Sequence, residues 1–173
     1  MTFHKISLKL LLLILTTTFN ISANAEIKIA ILDFELNDIT QLPYVKSEII
    51  RTASFKPLLE QSLKDSGGYK IIQISTKDYN ISNAGLGYLY KFHDISASLG
   101  HKYNADWIIV GQHSKGSFLY SYLLVNLINI KTNRLVAHYD IELKGTHKKV
   151  TEHGIKALLR KIVTTINSYH SET

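Results

Sequence analysis

Three carboxylates, Asp33, Glu35 and Asp38, crowd the end of the apolar run at residues 27–34. In open α/β sheets ligands gather beyond the carboxyl ends of the strands, so Asp33 and Asp38 could hold a cation or a hydroxyl-bearing small molecule there. Calcium would need about 6–8 oxygens, and no dense acidic loop supplies them. The simpler use of Asp33 is to order the following loop through backbone amides. The seven histidines beyond residue 25 (His93, His101, His113, His138, His147, His153 and His170) include no pair four residues apart with a nearby Glu, so they give no zinc signature and read as scattered. There is no G-x-S-x-G elbow, and Gly85-Leu86-Gly87 lacks the third glycine of a phosphate loop. With no cysteine, the chain has no thiolate site, no Cys nucleophile and no disulfide framework. Neither a metal nor a cofactor is expected, and no catalytic residue is assigned.

The richest stretch is His113-Ser114-Lys115-Gly116-Ser117-Phe118-Leu119-Tyr120-Ser121-Tyr122. It joins an imidazole, a cation and a flexible glycine to Phe118, Tyr120 and Tyr122. Aromatic side chains bury large areas at small entropic cost, and Tyr adds a hydroxyl, which suits a protein or glycan interface. The same alternation also fits a strand whose side chains pair across the sheet and pack under helices.

These groups need elements to hold them. Residues 27–34 read as a strand covered on both faces, ended by the polar stretch Glu35 to Gln41 and by Pro43. Val45 to Thr52 suits a short helix, and Ser54 with Pro57 suggests a second start, stopped by Gly67-Gly68. Tyr69 to Ile74 is a strand, Ser75 to Gly87 a long loop, and Asp94 caps a helix at residues 95–102. Trp107 to Val110, Leu119 to Ile130 and Leu135 to Leu143 follow as three strands in a meander. Ile155, Leu159, Ile162, Ile166 and Tyr169 mark one face of a last helix at residues 150–169. The prediction is one α/β domain with a mixed sheet of about five strands, in two or three layers, in the order β-α-β-α-β-β-β-α.

The chain starts with Lys5 and Lys9, an apolar run from Leu10 to Phe19, and Ala23-Asn24-Ala25. That is the pattern of a secretory signal, too short for a membrane span, and cleavage before Glu26 is expected. Residues 26–173 then form the single mature domain, soluble in the periplasm. They carry 18 basic against 14 acidic residues. This mild surplus, without a basic run interleaved with aromatics, argues against nucleic acid and is compatible with peripheral contact with anionic surfaces.

Ile29 to Phe34, Ala105 to Gly111 and Leu127 to Asn133 are together similar to the amino-terminal domain of the TolB protein and to the periplasmic domain of curli-secretion lipoproteins. More closely, Arg51-Thr52-Ala53, Gly67-Gly68-Tyr69, Gly87-Tyr88-Leu89, residues 113–122 and Glu142-Leu143-Lys144-Gly145 resemble an uncharacterised family of bacterial secreted proteins with that layout. The resemblance spans nearly the whole chain beyond residue 25. It implies a non-catalytic envelope domain that works by contacting other proteins. Many proteins of this layout are lipid-anchored through a Cys, and this chain has none, so no lipid anchor is expected. The alternative expectation is a periplasmic small-ligand or cation-binding protein using the Asp33 and Asp38 end of the sheet.

Overall fold

The computed structural model describes residues 26–40, 46–117 and 119–171. The expected signal segment, Pro43 and Phe118 lie outside the described residues.

β-branched residues dominate Ile27–Ile31, which forms β1, and Tyr69–Ile72, which forms β3; the two pair in parallel. Between them runs α1, a single helix over Lys46–Ser66 rather than the two short ones expected, with Pro57 inside it. Pro57 faces outward, while Phe55, Leu59 and Leu63 turn inward with no exposed surface. Burial of each such side chain contributes roughly 1.5–3 kcal/mol. Gly67 and Gly68 follow with φ of +73° and +78°, a conformation that ends the helix and that side-chain-bearing residues resist.

The expected loop at residues 75–87 contains a short helix, α2 (Thr76–Ser82), whose first turn is capped by Ser75 Oγ accepting from the Asp78 amide at 3.1 Å. A single turn, α3 (Tyr88–Lys91), leads to α4 (His93–Lys102). β4 (Trp107–Lys115), β5 (Tyr120–Asn129) and β6 (Arg134–Lys144) then make the antiparallel meander, and α5 (Lys148–Ser171) closes the fold.

Among the described residues there are six strands, one more than expected. The path is β3-β1-β4-β5-β6, and the sixth, β2 (Glu35–Asp38), also pairs with β4 in parallel. Polar Glu35–Asp38 was expected to be loop. It is held extended because β4 runs well past Val110 and offers it a ladder. α1 and α5 cover one face of the sheet over a core that includes Ile29, Ile31, Trp107, Ile109, Leu127, Ile155 and Ile162. The three short helices cover part of the other face over Ala30, Leu32, Leu89, Ala97, Ile108, Val110 and Ile128. The domain therefore has three layers, with a mixed sheet in the middle.

β1 and β2 lie end to end along β4, with an irregularity between them. From Ile31 to Glu35 the chain takes four steps while β4 takes three, from Ile109 to Gln112. The extra residue makes a bulge and inverts the alternation of faces. Phe34 thus joins the core under α1, and Glu35 points to the short helices. Phe34 can lie flat on β4 because residue 111 is glycine: a Cβ there would sit 2.3 Å from its ring.

Candidate functional site

β4 does not leave the interior after Val110. Gln112, His113 and Lys115 remain buried, so the polar end of the strand must find its partners inside the protein. Most come from α1. Glu48, Arg51 and Thr52, spaced i, i+3, i+4, extend inward the stripe that continues as Phe55 and Leu59.

His113 has no exposed surface. The Thr52 hydroxyl donates to the Glu48 carbonyl at 2.7 Å, so it accepts from Nδ1–H of His113, also at 2.7 Å. Nε2 is then the acceptor for the Ser121 hydroxyl at 2.9 Å. The Phe55 ring meets the imidazole edge-on at 5.0 Å. Burial, followed by the charges of Arg51 and Lys115, pushes the His113 pKa down to about 4, so the imidazole is neutral at pH 7.

Beside it, Lys115 Nζ lies 3.3 Å from Asp38 Oδ2 and 3.9 Å from Glu48 Oε1. Asp38 Oδ1 accepts from the Thr40 hydroxyl at 2.6 Å and the Thr40 amide at 3.0 Å. The Thr40 hydroxyl is the chief cause of a carboxyl held below its ordinary range, with the Thr40 amide and Lys115 adding to it. Arg51 donates from Nε to Thr151 Oγ1 and from Nη2 to the Gly145 carbonyl, both at 3.0 Å, and its Nη1 is 3.7 Å from Glu48 Oε2. That Glu48 oxygen is buried without a hydrogen-bond partner. Glu48, Arg51, Lys115 and Ser121 border a cavity of about 10 Å³, room for one water molecule.

Ser121 and His113 have the hydrogen-bond order of a nucleophile and its base. Their setting does not serve that chemistry. Ser121 is 3% exposed, a threonine stands where an orienting carboxylate would, and the adjoining space admits no substrate. The network instead ties α1, β2, β4, β5 and α5 together.

The sequence-selected residues converge at this end of the sheet, at different depths. His113 and Lys115 lie inside; Lys115, read as part of an outward-facing interface, is buried between two carboxylates because α1 and β2 enclose it. Asp38 is the rim partner of Lys115, and Asp33 sits on the bulge, where Lys56 Nζ approaches its Oδ1 at 3.1 Å. Both carboxylates thus face the protein's own ammonium groups. Among the described residues no three His, Cys, Asp or Glu side chains converge as metal ligands.

Tyr120 and Tyr122 occupy the face of β5 opposite Ser121, beyond the cover of the short helices. Their rings meet edge-on at 5.9 Å, Tyr120 is 43% exposed and the adjacent Leu119 is 78% exposed. On the same face of β6, His138, Asp140, Glu142 and Lys144 are exposed. Sequence reasoning gave Arg51, Thr52 and Ser121 no role beyond their place in the family-like motifs, and missed Glu48. The available signal was a helical stripe carrying an acid, a guanidinium and a hydroxyl at positions continuous with buried Phe55.

The three layers and strand order define a TolB-like mixed α/β domain. TolB from Acinetobacter baumannii superposes with a TM-score of 0.50 at 14% identity, covering 82% of this chain and 28% of TolB. Lipoprotein GNA1162 from Neisseria meningitidis gives 0.51 at 10% identity, covering 79% and 96% of the two chains. The C-terminal domain of LpoB from Salmonella enterica gives 0.48 at 11% identity, covering 69% and 84%. The chain belongs to the family described as "Protein of unknown function (DUF2380)", which it matches over residues 27–163. No curated protein matches its sequence.

Proposed function

We propose that this chain is a non-catalytic interaction domain of the bacterial envelope, exported, freed of residues 1–25 and working in the periplasm without a lipid anchor. It captures a partner protein through the Tyr120–Tyr122 face. The observation that carries this reading is a pair of tyrosines meeting edge-on outside the sheet end whose opposite face is fixed in a buried network. Rigid aromatic groups on a braced strand lose little entropy on binding, which is the property of interface anchors. The envelope setting is supported by the leader-like start of the sequence and by the fold shared with a Neisseria lipoprotein.

The test is site-specific photocrosslinking from position 120 in the native cell, with the amino terminus of the recovered protein sequenced in parallel. Discrete adducts on a chain starting at Glu26 are expected. In the Tyr120→Ala, Tyr122→Ala double variant, capture should fall at least roughly tenfold while the melting temperature moves by only a few degrees. Unchanged capture would refute the interface, and an intact Met1 would refute the export step.

A further inference from the structure

α1 has a second, lateral apolar stripe, whose last member, Leu58, also packs against the main core. Ile50, 61% exposed, runs on to Pro57 and Leu58. They wall a groove of about 500 Å³ whose other side is the start of α5, with Thr146, Lys148 and Thr151. That volume is within the ~300–1,000 Å³ of pockets that hold ligands. The groove runs along α1 from Ser47 to Leu58, eleven residue steps or about 16 Å, equivalent to three turns of a docked helix.

Its rim is basic. Lys148 lines it with 88% of its side-chain surface exposed, and the exposed Lys46 precedes the lining Ser47 at the start of α1. Glu152, 3.7 Å from Lys148, is a half-buried i, i+4 partner, and such pairs near the surface contribute only a few tenths of a kcal/mol. The first turn of α5 holds no acidic residue, so the positive end of its dipole adds to the same field.

We infer that this groove receives an acidic amphipathic helix of a partner protein, distinct from whatever meets Tyr120. Beyond its first turn the α1 wall has its backbone groups bonded within the helix, so an extended peptide would find no ladder to join along most of the groove. A helix brings its own hydrogen bonds and needs only apolar anchors at i, i+3 or i+4, and i+7. Those anchors fill the space beside Ile50 and Leu58, and flanking Glu or Asp meet Lys46 and Lys148. The concave shape favours side chains of a helix over a planar lipid surface.

The experiment titrates the full-length protein with a fluorescent helical peptide of about three to four turns, carrying Leu at i, i+4 and i+7 and Glu elsewhere. Controls are the same peptide with Lys for Glu, and vesicles with about one quarter anionic lipid. The Glu peptide is expected to bind saturably and to weaken as salt rises from roughly 50 to 500 mM. Ile50→Asp should weaken it at least about tenfold and Lys148→Glu severalfold, with Tyr120→Ala leaving it unchanged. Both altered side chains are exposed, and unchanged melting temperatures confirm that the variants fold. No saturable binding, equal binding of the Lys peptide, or binding only to vesicles would overturn the inference. Because Tyr120→Ala is silent in this assay, its outcome is separate from that of the Tyr120–Tyr122 interface.

Discussion

From Trp107 to Val110, β4 is apolar and meets apolar neighbours on both faces. From Gln112 to Lys115 the same strand stays almost as deep but carries an amide, an imidazole and an ammonium. The first half is held by the non-directional withdrawal of surface from water, so shape alone decides what fits. The second is held by directional contacts, in which each group makes its neighbour tolerable and removing one strands another. The contrast separates scaffold from site: the apolar half sets where β4 lies, and the polar half braces the strand end that presents Tyr120 and Tyr122.

That contrast is open to attack by substitution. The largest effect is expected at Lys115, where methionine keeps much of the shape but leaves Asp38 without its cation and Glu48 with Arg51 alone. Lys115→Met should cost about 3–5 kcal/mol in urea unfolding, and adding Glu48→Gln should recover a substantial part. Full cost in both chains would mean that packing, not charge, governs this half. Next comes pH. The folded protein holds His113 neutral down to about pH 4, so the unfolded chain binds the proton first as pH falls. The resulting stability is complete above about pH 6.5 and is lost progressively toward pH 4, on the order of 3 kcal/mol. His113→Gln should flatten that part of the stability profile, and an unchanged slope would remove His113 as its source. The smallest effect is expected in the apolar half, where Ile109→Val should cost only about 0.5–1.5 kcal/mol, independent of pH.

Apolar patterning made one half of β4 legible in the sequence and hid the other. Trp107 to Val110 reads as a buried strand at sight, and the spacing of Ile155, Ile162 and Ile166 gives α5. His113 and Lys115 read as the point where the strand surfaces, because their partners are distant in sequence: Thr52 is 61 residues from His113. Nothing local reports that α1 will lower an acid, a guanidinium and a hydroxyl onto that spot. β2 escaped detection for a related reason, since Glu35-Leu36-Asn37-Asp38 has little strand propensity and takes its conformation from β4. α2 has no buried residue, hence no stripe to recognise. Pro57 misled by its usual role as a helix starter; on an outward face a missing amide leaves no buried group unsatisfied.

The bulge ahead of β2 behaves like an inserted letter in a text read two at a time. Everything downstream of it is parsed in the other phase, which is how one continuous lane of backbone delivers a phenyl ring to one layer and a carboxylate to the opposite one. Deleting Asp33 would therefore remove the surplus letter and still leave Glu35 opposite Gln112 and Asp38 opposite Lys115. Pairing the full-length chain without the bulge would instead drive Glu35 among the side chains beneath α1 and turn Asp38 away from Lys115.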